Sequence, residues 1–210
     1  NFTDFAEAVL DDGQVLFHGD GAASYRGLFL AERSGSITRL YDSNTAVPGG
    51  TGGGFENLAQ AVLSNGSIAF YGFGAGQEGF FSDVSGVLAV IADRSSPVPG
   101  SPGLSFISFG YIAIDDGVVA FGAGLSNGGF GVYSTHTGAL SKVLQSGDIL
   151  NGKVVSAMDI GSQGLDGGSL ALSILFNDGT RGIYSATIPA PGAAALFALA
   201  WCLAAPRRRS

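Results

Sequence analysis

A repeat of slightly more than fifty residues runs through this 210-residue chain and limits the folds open to it more than any other feature. Asp11-Asp12-Gly13-Gln14-Val15-Leu16-Phe17 returns as Ser64-Asn65-Gly66-Ser67-Ile68-Ala69-Phe70 and as Asp115-Asp116-Gly117-Val118-Val119-Ala120-Phe121. A looser copy is Asp166-Gly167-Gly168-Ser169-Leu170-Ala171-Leu172, so the steps are 53, 51 and 51 residues. A second marker, Gly27-Leu28-Phe29, Gly79-Phe80-Phe81, Gly131-Val132-Tyr133 and Gly182-Ile183-Tyr184, advances by 52, 52 and 51. A third keeps the same register at Gly35-Ser36-Ile37, Gly86-Val87-Leu88 and Gly138-Ala139-Leu140. Three markers in one register define a structural unit that is stacked, because a unit this short cannot bury its own apolar face.

Within a unit, apolar and β-branched runs of four to eight residues alternate with clusters of Gly, Asp, Asn and Ser, the pattern of short strands and turns. In the second unit the predicted strands are 57–63, 67–72, 79–83 and 87–92. Asp-Gly and Asn-Gly pairs between the first two strands supply the positive φ angles that tight hairpins need. Four strands per unit predict an all-β, β-propeller-like array of units at about 1–54, 55–104, 105–154 and 155–187. No helix is predicted before a separate tail, 188–210. The last unit ends after its third strand near Ile188, whereas the first opens on its first strand near Phe5. The expectation is therefore a fragment, with the missing strand and an export signal lying upstream of Asn1.

The tail has its own grammar. Pro189-Ala190-Pro191-Gly192 precedes a 13-residue apolar run from Ala193 to Ala205, and Arg207, Arg208 and Arg209 follow. As a helix that run would measure about 20 Å, short of the roughly 30 Å hydrocarbon core, so it suits a transient or thin anchor with its arginines held on the cytoplasmic side. The order of spacer, apolar run and basic end resembles the PEP-CTERM class of bacterial sorting signals, with Pro189-Ala190-Pro191 where that class has Pro-Glu-Pro. The resemblance implies export, a membrane-bound sorting and processing machinery as partner, and a place at the cell envelope or outside the cell. The repeats, above all Gly117-Val118-Val119-Ala120-Phe121 with Gly131-Val132-Tyr133, resemble those of exported bacterial proteins of unknown function.

Charge is consistent with that address. Seven Lys and Arg stand against seventeen Asp and Glu in residues 1–187, a balance that excludes nucleic acid as a partner because phosphate binding needs a basic patch. Cys202, the lone cysteine, lies in the tail, so the repeat region has neither a disulfide nor a cysteine metal site.

Strings that carry chemistry elsewhere fall here in turns. Gly74-Ala75-Gly76-Gln77-Glu78-Gly79 matches the dinucleotide-binding pattern, which works only where a helix N-terminus follows, and a strand is predicted instead. Gly124-Leu125-Ser126-Asn127-Gly128 matches the nucleophile elbow but occupies the equivalent turn one unit later. His18 and His136 sit at different places in the unit and are expected to be solvated or locally bonded rather than zinc ligands or triad members. Asp11, Asp12, Asp115, Asp116 and Asp166 recur at one turn, with Asp42, Asp93 and Asp148 near unit ends. Oxygen ligands of this kind can hold calcium, but no stretch has the spaced Asp/Asn loop of an EF-hand or the Gly-Gly-x-Gly-x-Asp nonapeptide, and turn formation is the expected role. Phe17, Phe70 and Phe121 on second strands, with Phe29, Phe81 and Tyr133 on third strands, are predicted core.

No catalytic, cofactor-binding or metal-ligating residue is assigned, and no cofactor. The expectation is an exported interaction or structural module that is not an enzyme, with extracellular polysaccharide or envelope proteins as further partners. The alternative is a propeller that binds or processes extracellular polysaccharide through its acidic loop residues.

Overall fold

The computed structural model describes residues 2–21 and 25–188, and all regular structure among them is β. Sixteen strands form four four-stranded antiparallel sheets, each drawn from consecutive strands. Sheet 1 contains β1 (Phe2–Asp11), β2 (Gln14–Gly21), β3 (Tyr25–Ala31) and β4 (Ile37–Asp42). Sheet 2 contains β5 (Asn57–Ser64), β6 (Ser67–Gly74), β7 (Gln77–Ser82) and β8 (Ala89–Asp93), close to the segments read from sequence. Sheet 3 contains β9 (Phe106–Asp115), β10 (Val118–Leu125), β11 (Phe130–Ser134) and β12 (Ser141–Gln145). Sheet 4 departs from the pattern. A two-residue β13 (Ile149–Leu150) pairs with the start of β14 (Lys153–Asp166), followed by β15 (Ser169–Phe176) and β16 (Arg181–Thr187). Among the described residues no strand follows β16, which stands where β3, β7 and β11 do but without a β4, β8 or β12 beyond it.

Local chemistry explains the hairpins. At the turn after the first long strand of each sheet, Asp12 and Gly13, Asn65 and Gly66, Asp116 and Gly117, and Gly167 and Gly168 all have positive φ. Two successive left-handed residues are what a type I′ turn requires, and that turn matches the twist of its strands. On the third strand the glycine is a matter of space. A Cβ on Gly79 would collide with the Ala92 carbonyl oxygen, so β8 can approach β7 this closely only where no side chain intervenes.

The long first strands are innermost: β1 lies against β5, β5 against β9, and β9 against β14. Each also has a register shift at the same place in the unit, near Glu7, Gln60, Gly110 and Gly161. Three cores fill the boundaries between sheets. Leu16 and Leu28 meet Phe70 and Phe81; Ala69 and Phe80 meet Phe121 and Tyr133; Ala120 and Val132 meet Leu172 and Ile174. Four of the predicted aromatic positions, Phe70, Phe81, Phe121 and Tyr133, are thus buried between sheets at 0% exposure, whereas Phe17 and Phe29 pack with Phe2 and Phe5 of their own sheet.

One aromatic of the set is invisible in the short motifs. Phe55 packs on Phe70 and Phe81 with ring centroids 5.5 and 5.0 Å apart, and Phe106 packs on Phe121 and Tyr133 at 6.1 and 5.1 Å. Phe2 does the same with Phe17 and Phe29, at 5.6 and 4.8 Å. Edge-to-face arrangements of this kind contribute about 0.5–1.5 kcal/mol per pair beyond area burial.

Candidate functional site

The four innermost strands meet around a cavity of about 220 Å³, lined by Val9–Asp11, Val62–Ser64, Ile114 with Asp115, and Ser162, Gln163 and Leu165. This is where the recurrent acidic turn converges, so the chemistry expected of those residues is decided here. Asp11 Oδ2 accepts the backbone N–H of Asn65 at 2.8 Å, and Asp115 Oδ2 accepts that of Gly167 at 2.8 Å. Ser64, the equivalent residue between them, accepts the N–H of Asp116 through Oγ at 3.3 Å. The last residue of the first strand in sheets 1, 2 and 3 therefore bolts the first turn of the next sheet. Asp116 takes a further bond from Asn65 Nδ2 at 3.0 Å. Asp166, exposed, has no such bond among the described residues.

A second contact crosses the first boundary at the register shifts, where Glu7 Oε2 accepts the N–H of Gln60 at 2.6 Å. Sequence reasoning missed it, as it missed the Tyr41 hydroxyl, which donates to Asp83 Oδ2 at 3.0 Å. Burial together with the Asp83 carboxylate pushes the Tyr41 phenol up to about 12. No repeated motif marks either pair.

The acidic residues near unit ends have local duties. Asp42 Oδ1 accepts from Asn44 N at 2.8 Å, and Asp93 Oδ1 accepts from Ser95 N, Ser95 Oγ and Ser96 Oγ, each at 2.8 Å. These are the side-chain-to-backbone turns that Asp forms readily. Burial acts to raise the Asp93 pKa, but the bonds from Ser95 and Ser96 outweigh it and hold the carboxyl below its ordinary value. Asp148 accepts from Gln145 N and pairs with Lys142 Nζ at 3.0 Å. Among the described residues no group of three or more His, Cys, Asp and Glu could hold a metal ion.

The two catalytic-looking strings are turns. Gly74–Gly79 runs from the end of β6 into β7, a strand and not a helix. Ser126 follows β10, and its Oγ accepts the N–H of Ser105 at 3.2 Å. His18 is partly buried, with Nδ1 4.0 Å from Asp20 Oδ1. His136 overturns its expected exposure: it is 3% exposed, its Nδ1 lacks a hydrogen-bond partner, and burial lowers its pKa. The sorting residues Pro189, Ala190, Pro191, Gly192, Arg207, Arg208 and Arg209 lie outside the described residues.

The model of a family of unknown function, DUF7453, matches residues 1–195. The chain belongs to that family. No curated protein matches it. Among solved structures, an exo-β-1,3-galactanase from Phanerochaete chrysosporium, determined with β-1,3-galactotriose, is similar at 12% identity and a TM-score of 0.41. That likeness covers 86% of this chain and 46% of the galactanase chain, so this chain spans about half the length of that protein. A likeness this distant carries no argument about activity.

Proposed function

We propose that this member of DUF7453 is a non-catalytic β-propeller module, exported and placed at the cell envelope by its C-terminal segment, where it serves as an interaction or structural unit. One observation supports the non-catalytic part: Asp11 and Asp115, two of the five recurrent turn carboxylates, each accept a backbone N–H from the next sheet. A carboxylate that accepts a backbone N–H across a packing boundary is a structural acceptor, and freeing it for a substrate would open that boundary. The innermost strands sharing one axial cavity support the propeller reading. The order of Pro189–Gly192, apolar run and Arg207–Arg209 supports the address.

Deletion of Pro189–Ser210 in the native host tests the address. Ile188 is kept because it is 3% exposed and its N–H bonds to the Gly168 carbonyl. The truncated protein is expected to leave the envelope fraction or to change its processing, and identical fractionation of the two forms refutes the reading. The non-catalytic part is tested by assaying the purified protein on ester, glycoside and phosphate panels. Turnover that disappears on changing Ser126, or Asp115 with Asp116, would establish the enzyme alternative instead.

A further inference from the structure

The glycine-rich string Gly74–Gly79 shapes an open hollow of about 510 Å³ at the β6–β7 hairpin. A Cβ on Gly74 would collide with the Gly54 carbonyl oxygen and the Glu56 nitrogen, so this glycine lets the chain entering β5 pass close to the hairpin. Glu56 is thereby brought beside Phe73, whose carbonyl accepts its N–H at 2.8 Å. The turn after β8 supplies Arg94 to the same hollow. Arg94 Nε donates to Glu78 Oε2 at 2.7 Å, and the Tyr71 hydroxyl donates to Glu78 Oε1 at 3.2 Å, so both oxygens of that carboxylate are engaged. The terminal nitrogens of Arg94 and the Glu56 carboxylate make no hydrogen bond to any of the described residues.

This group belongs to one unit only. At the places of Tyr71, Glu78 and Arg94, sheet 1 has His18, Arg26 and Ser43, and sheet 3 has Gly122, Phe130 and Ser146. In sheet 3 the Phe130 ring fills the space beside Gly122. The unit folds with any of the three sets, so the architecture does not require this one. The composition of the wall selects a ligand. Two carboxylates disfavour an anion, the guanidinium disfavours a cation, and the half-buried Phe73 ring offers a flat apolar surface. A neutral polyhydroxylated ring satisfies all three, because its hydroxyls donate to Glu56 and accept from Arg94 while its C–H face lies on the aromatic ring. The volume is that of a small-molecule site. We propose that the hollow binds a neutral sugar unit of a polysaccharide chain. The proposal rests on the interaction role stated above, for which it names the ligand class and the place, but not on the cellular address.

The test is affinity electrophoresis of the full 210-residue chain in native gels that contain laminarin, galactomannan or dextran, with the acidic polysaccharide alginate as the counterpart. At least one of the three neutral polysaccharides is expected to retard the chain, and alginate is not. Glu56→Ala, Arg94→Ala and Phe73→Ala should each weaken the apparent affinity about tenfold or more. Arg181→Ala, at an exposed arginine of sheet 4, should leave it unchanged. Glu56 and Arg94 are themselves exposed, so unchanged melting temperatures in those two variants separate loss of the site from loss of the fold. Migration unaffected by all three neutral polysaccharides would overturn the proposal. So would retardation that survives the double change of Glu56 and Arg94 to alanine, or retardation by alginate alone. None of these outcomes bears on the address or on the absence of turnover, which the tail deletion and the substrate panels report separately.

Discussion

The Asp115 carboxylate and the Gly167 backbone N–H stand 2.8 Å apart across the boundary between sheets 3 and 4, and Asp11 and Asn65 repeat the relationship at the first boundary. The bond holds one sheet against the next beside the cavity that the four first strands line, while the aromatic layers fill the boundaries between sheets. A residue type that suggests a metal or acid-base site is thereby part of the scaffold.

Removing the bolt has a measurable cost. Asp115→Ala is expected to destabilise by about 1–2 kcal/mol, the range for a charge-assisted bond that is partly solvated. Asp166→Ala, at the equivalent position without such a bond among the described residues, should stay within about 0.5 kcal/mol. Urea denaturation of the two variants makes the comparison, and equal midpoints would remove the bolt from the account.

Aromatic truncation should separate buried layers from the outer face. Phe121→Ala, at 0% exposure between Phe80, Phe106 and Tyr133, should cost about 3–5 kcal/mol. Phe5→Ala, on a 62% exposed ring that touches Phe2 and Phe17, should cost about 1 kcal/mol. Calorimetric melting temperatures that fall equally would contradict the packing described.

Acid should weaken the fold in two stages with opposite chemistry. His136 is buried, so its folded pKa lies below 6.5. Between 6.5 and that lower value the unfolded chain binds a proton that the folded chain does not, and stability falls as pH drops through this window. The folded pKa of Asp93 lies below 3.8, so its contribution is complete above that value and is lost as pH falls through the folded pKa. His136→Gln should flatten the upper stage and Asp93→Asn the lower in a series of urea midpoints. A parent protein with constant midpoints from neutral pH to about pH 3 would refute both assignments.

The first turn should tolerate few replacements. Gly66 and Gly117 have φ of +77° and +78°. Gly66→Ala meets no atom within 4 Å, so its cost is conformational, about 1–2 kcal/mol. Gly79→Ala collides with the Ala92 backbone and should also separate β7 from β8, visible as faster amide exchange in β8. Unchanged exchange there would show that the close approach is not needed.

The amino-acid sequence by itself determined what is local and periodic. Asn65-Gly66 and Asp116-Gly117 announce left-handed turns because few other pairs adopt them without strain, and the short apolar runs around Phe70 and Phe121 announce buried strands. The repeat step of about 51 residues then determined four like units. What lies across a sheet boundary was decided only by the tertiary structure. Asp115 and Gly167 are 52 residues apart, and nothing in either residue says that the carboxylate faces that N–H and not solvent or a cation. His136 sits in a turn whose burial depends on the neighbouring packing, and Phe55 reaches Phe70 and Phe81 from outside any short motif. Turn geometry is dictated by neighbours in the chain, whereas the fate of a side chain is set by the surface that folding brings against it.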